Sequence, residues 1–299
     1  MAHSIYINRI EETVVAGKRL GRHVMHDSRS LAYRVPRSGA AVSSQNWTRN
    51  IPILDQGDLG SCTGNALTGA LGTGPIWDAL PKGHVTLDEK EAVSLYSAAT
   101  KLDSYPGNYP PTDTGSDGTS VCKAGQAAGF ISGYLHAATV DDMVAALQTG
   151  PVIVGVNWYS SFDEPASDGL VSIGAGAYVR GGHEFLIRGV DVSGELLEAD
   201  NSWGVSWGKQ GSFSFSYTTM DRLLSEEGDC TVPLALSVPA PTPTPPTPTP
   251  VPVTPDQYDL AFGHDPRVVK WAKENHFLAA DTRHAAQAFT TWAKAKGLM

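Results

Sequence analysis

Four stretches of this chain carry a readable alternation of apolar and polar positions. After Cys62, the residues Ala66, Leu67, Ala70 and Leu71 recur at three- and four-residue spacing and predict a helix with Cys62 at its N-terminus. Residues 184–190, Glu-Phe-Leu-Ile-Arg-Gly-Val, are short, apolar and β-rich, and predict a strand that His183 begins. Near the C-terminus, Asp265-Pro266 opens a helical segment carrying Val268, Val269, Trp271 and Ala272. Asp281 then caps a second one, with Ala285, Ala288, Phe289, Trp292 and Ala293 on one face.

Residues 239–255 interrupt that patterning completely. Alternating proline and threonine there forbid helix and sheet ladders and favour an extended polyproline II spacer, on the order of 50 Å long. The spacer separates a main domain from a small helical module, residues 256–299, and recognition by a proline-binding partner is its alternative use. The module is slightly basic, with Arg267, Lys270, Lys273, Arg283, Lys294 and Lys296 against five carboxylates; a solvated helix face accounts for that, and tethering alone gives it a docking role.

The whole chain has 299 residues and a formal charge of −9, which argues against non-specific binding to nucleic acid or anionic membranes. No run approaches the length of a membrane span, and the first ten residues lack the apolar core of a signal peptide. The expected location is therefore the cytoplasm until release, or a virus particle or the cell exterior after lysis. Residues 1–44, of mixed polarity, form an N-terminal arm expected to wrap the main domain as an added strand or loop, with self-inhibition as the alternative. Of three cysteines, Cys122 and Cys230 are read as buried small hydrophobes, and a bridge between them is compatible with the sequence.

Three segments bring together the parts of a thiol hydrolase. Gln56-Gly57-Asp58-Leu59-Gly60-Ser61-Cys62 holds a nucleophile at a helix N-terminus, where free N–H groups and the dipole favour a thiolate. The Gln56 amide and those N–H groups can hold an oxyanion. Gly181-Gly182-His183 supplies a base, with space for a substrate beside the glycine backbone, and Asn201 can accept the far imidazole N–H to fix the tautomer. Trp203 can cover that hydrogen bond. Cys62 and His183 are expected to face a solvent-filled cleft as an ion pair that attacks a carbonyl.

These segments resemble the papain family of cysteine peptidases: residues 54–62 its glutamine-to-cysteine segment, Gly182-His183 its histidine strand, and Asn201-Ser202-Trp203-Gly204-Val205-Ser206-Trp207-Gly208 its asparagine segment. The resemblance runs from about Arg49 to about Tyr217, and residues 146–152 resemble the helix-then-strand start of the second lobe. It implies an α+β, two-lobe fold over residues 45–238, one lobe helical and carrying Cys62, the other β-rich and carrying His183 and Asn201. It further implies a cysteine endopeptidase with Cys62 as nucleophile, His183 as base and acid, Asn201 as orienter and Gln56 as oxyanion donor, acting on a peptide or protein without metal or cofactor. Gly118, Gly182 and Trp203 are the implied substrate contacts. Leu59 and Thr63 stand where the family has a cysteine and an aromatic residue, a form closer to bacterial and phage-borne members. Two other readings remain: a virion or surface structural protein or adaptor that keeps a peptidase fold, and a cell-wall peptide hydrolase.

Overall fold

The computed structural model describes residues 5–27, 32–36, 41–81 and 86–236, all within one unit, Met1–Val238. The proline-threonine spacer and the helical module lie outside the described residues. The arm contributes β1 (Ile5–Asn8) and β2 (Val24–Asp27), an antiparallel pair of their own, and β3 (Gln45–Asn46) follows it. Four helices come next: α1 (Cys62–Leu71), α2 (Gly74–Ala79), α3 (Glu89–Ala99) and α4 (Gly118–Ala127). The rest is β-rich, with β4 (Gly133–Ala137), α5 (Val140–Leu147), β5 (Val152–Tyr159), β6 (Leu170–Val171), β7 (Val179–Asp191), β8 (Leu196–Asp200), β9 (Ser212–Ser216), α6 (Tyr217–Ser225) and β10 (Asp229–Leu234). Asp88, Asp117, Thr139 and Ser216 cap α3 to α6, each side chain accepting an N–H from the first turn.

The strand order is β4-β10-β5-β7-β8-β9-β6, with β3 also on β7, so β7 lies at the middle of the sheet. Its neighbours β5 and β8 are antiparallel to it, and the sheet has one parallel pair, β6 with β9. Successive side chains on a strand point to opposite faces. Phe185 and Ile187 accordingly enter a core with Val152, Val154, Val156, Trp158, Phe213 and Phe215, which α5 and α6 close. Leu186 and Ile153 point the other way, into a second core made with Leu67, Leu71, Leu95 and Val121 of the helices. Two cores back to back on one strand pair make the two lobes.

Helix α1 is buried along its whole length, between α3 and the sheet. Its apolar periodicity therefore marks no solvent boundary. Threonine, asparagine and glycine fill the remaining positions because small side chains let its neighbours approach from every side.

Candidate active site

Cys62 is the first residue of α1, where the backbone N–H groups have no acceptor inside the helix. No acidic side chain stands in that first turn to oppose the dipole. The N–H of Glu184 is directed at the Cys62 sulfur, which sets the thiol against the peptide that joins His183 to Glu184. His183 lies inside β7, five residues in, rather than at its start: the Gly181-Gly182 backbone is itself paired to Trp158 and Asn157 of β5.

The imidazole is held from one side. Nε2 donates to Asn201 Oδ1 at 2.7 Å, which leaves Nδ1 with its lone pair and, among the described residues, with no hydrogen-bond partner. Trp203 lies 5.0 Å from the His183 ring at an interplanar angle of 31°, and Trp158 meets it edge-on at 4.8 Å. Both rings keep water off the His183–Asn201 bond.

The loop that carries Gln56 is tied to the segment that carries Asn201. The Gln56 N–H donates to the Ser202 carbonyl, and the Ser202 hydroxyl donates to Gln56 Oε1 at 2.6 Å. With Oε1 so engaged, Nε2 turns toward the Leu59 carbonyl at 2.8 Å and the Leu20 carbonyl at 3.4 Å. Leu20 belongs to the arm.

The arm crosses the cleft as a bound strand. The N–H groups of Gly21 and Arg22 both donate to the Gly182 carbonyl, at 3.1 and 2.9 Å. Ser116 donates to the Gly21 carbonyl at 2.9 Å and accepts from His23 N–H at 2.8 Å, a parallel bridge centred on Arg22. Trp203 Nε1 donates to the Arg19 carbonyl at 2.9 Å. Arg180 anchors the approach, donating to the Thr13 and Lys18 carbonyls and pairing with Asp163.

Cys62 and His183 are consequently fully buried, which corrects the expected open, solvent-filled cleft. Burial pushes the Cys62 thiol well above its ordinary value and drives His183 down to about 3. With the arm in place, burial disfavours the charged form of each, thiolate and imidazolium alike. A cavity of about 440 Å³ lies beside the site, lined by Ala16, Lys18, Asp163, Trp203 and Trp207 among others, and neither Cys62 nor His183 lines it.

Of the expected substrate contacts, Gly182 and Trp203 touch the arm backbone, while Ser116 makes the pairing that sequence reasoning placed at Gly118. Gly118 instead opens α4 and faces the Glu184 carboxylate. Sequence reasoning missed Arg22, Ser116, Glu184 and Asp229. A visible signal existed for one of them: Glu184 is a carboxylate inside an otherwise apolar buried strand. Cys122 and Cys230 are buried free thiols, and among the described residues no cluster of His, Cys, Asp and Glu could hold a metal. Nor is any described helix long and apolar enough to cross a membrane.

Among solved structures the chain is similar to xylellain, a cysteine protease from Xylella fastidiosa, at 18% identity with a TM-score of 0.58, covering 77% of this chain and 99% of that one. The fold is papain-like. A second similar structure is a digestive procathepsin L 3 of the Tenebrio molitor larval midgut, at 16% identity with a TM-score of 0.50, covering 67% of this chain and 73% of that one. No family profile and no curated protein sequence matches the chain. In this papain-like frame the helical lobe carries Cys62, the sheet lobe carries His183 and Asn201, and the arm lies in the groove between them.

Proposed function

We propose that the chain is a cysteine endopeptidase that cleaves peptide bonds and is held latent by its own N-terminal arm. The observation that carries this reading is the oriented imidazole. His183 is fixed by Asn201 through Nε2 and offers Nδ1 unpartnered, while the Cys62 thiol, at a helix N-terminus, meets the N–H of the next residue, Glu184. Once the arm leaves, water reaches the site, the desolvation penalty on both charged forms falls, and a proton can pass from Cys62 to His183. The thiolate attacks the carbonyl carbon, and the Gln56 amide and Cys62 N–H hold the oxyanion. His183 returns its proton to the leaving amine, and water completes hydrolysis of the thioester.

The motif form and the long spacer support carriage on a particle or release by lysis, with the helical module as the docking element. The test of the peptidase reading is an epoxide or diazomethyl-ketone peptide inhibitor, followed by mass spectrometry and a peptide-library cleavage profile. Modification confined to Cys62, with parallel loss of cleavage, is the expected result. Cleavage that continues after Cys62 is fully modified would reject it.

A further inference from the structure

We infer that the pocket formed by Glu184, Asp229, Gly155 and Gly118 selects a guanidinium-bearing side chain of the peptide substrate, and that Arg22 is the arm's own occupant of it. This rests on the peptidase reading and names the residue that the same cleft takes close to the cleaved bond. Arg22 enters on a backbone held as a strand between Ser116 and Gly182, the residue before His183. Two residues away, the Leu20 carbonyl faces the Gln56 amide. A peptide lying along these same backbone groups would put one side chain where Arg22 now lies.

The Arg22 side chain is completely buried. One terminal nitrogen bonds the Asp229 carboxylate and also donates to the Glu227 carbonyl at 2.6 Å. Its Nε and other terminal nitrogen are buried without a hydrogen-bond partner among the described residues, and so are both oxygens of Glu184. Charge nevertheless couples Arg22 to Glu184. Two glycines make the room. A Cβ at position 155 would stand 2.6 Å from both Arg22 Nε and Glu184 Oε2, and one at 118 would stand 2.5 Å from Glu184 Oε1.

All four pocket residues lie outside the arm, on α4, β5, β7 and β10, so the pocket persists when the arm leaves. What it then holds is the buried Glu184 carboxyl and the partly buried Asp229 carboxyl, with no cation. Like charges at short range in a dry site disfavour each other, and an apolar side chain placed there would leave both without a counter-charge. A guanidinium answers both at once, with donors in a planar fork that point in several directions.

The test uses the full chain carrying Arg22→Ala, probed by calorimetry and thermal denaturation with Nα-acetyl-arginine methylamide and Nα-acetyl-norleucine methylamide. The arginine compound should bind at least about tenfold tighter and raise Tm, and adding Glu184→Gln should erase the preference. Equal affinity for the two compounds, or a preference that survives Glu184→Gln, overturns the inference. Should Arg22→Ala fail to fold, Arg22→Lys and Arg22→Met decide. Folding of the lysine variant alone supports a cation pocket, and equal behaviour of the two rejects it. Peptides carrying arginine or norleucine at each position before the cleaved bond complete the test. Binding preference without any hydrolysis would sink the peptidase reading and leave the pocket standing, whereas hydrolysis without an arginine preference would sink the pocket alone.

Discussion

Cys62 and His183 are both fully buried under the chain's own backbone, and burial penalises the charged form of each. Cys62→Ala and His183→Ala should each lower peptide hydrolysis by more than about a thousandfold, since each removes a group that bonds or moves a proton in the reaction. Asn201→Ala should be milder because it removes orientation only; a larger loss than for His183→Ala would reverse those two roles. The depressed His183 also makes a pH prediction. In the folded chain it takes a proton only near pH 3, against an ordinary value of 6.5, so it contributes stability above about pH 6.5 that is lost as pH falls toward 3. Asp103 and Asp117 are raised by burial to about 6 and act with the opposite sign, losing stability as pH rises from their ordinary 3.8 to 6. The quantity to read is therefore the difference between wild type and His183→Gln. The wild type should lose up to ~1.4 kcal/mol more per pH unit between 6.5 and 4, measured by denaturant titration. Parallel curves would contradict the buried neutral histidine.

At the scale of elements, α1 and β7 were legible, and so was an arm that wraps the domain, but its seat in the cleft was not. Helical spacing in residues 66–71 and the apolar run after His183 are local signals, and the structure keeps both, with β7 extended backward through the glycines. The arm has no such pattern. It docks through backbone groups of Gly21, Arg22 and His23, which every sequence carries, through the buried Arg22 side chain, and through the scattered apolar residues Leu20, Val24 and Met25. Gly21 is its tightest point: its φ is +138°, and a Cβ would stand 2.2 Å from the Gly60 carbonyl oxygen. Gly21→Ala should thus lift the arm from the cleft without removing a contact of its own. Alkylation of Cys62 by iodoacetamide should accelerate at least about tenfold, because protection by a docked segment falls with the population of the docked state. Unchanged labelling in a folded variant would show that the arm does not seal the thiol.

Across the whole molecule, the sheet-side core and the helical core share β5 and β7, so neither lobe has an interior without the other. Residues 239–255 are expected from composition to form a proline-threonine spacer with little to pack with, and such a spacer would separate what it joins better than couple it. Truncation after Val238 should leave small-peptide turnover within about threefold of the full chain, and loss of the fold on truncation would reject that independence. The sequence alone determined the residue types at the site, the helix behind Cys62 and the strand behind His183, and it carries the proline-threonine run at 239–255. Each depends on neighbours a few residues apart, where period and proline chemistry act directly. Only the tertiary structure decided that the cleft is filled, that Cys62 and His183 are buried beneath the arm, and that Arg22 lies beside Glu184 and Asp229. Those contacts join positions 22, 116, 184 and 229, far apart in the chain, and follow from how two lobes and a strap close on one another.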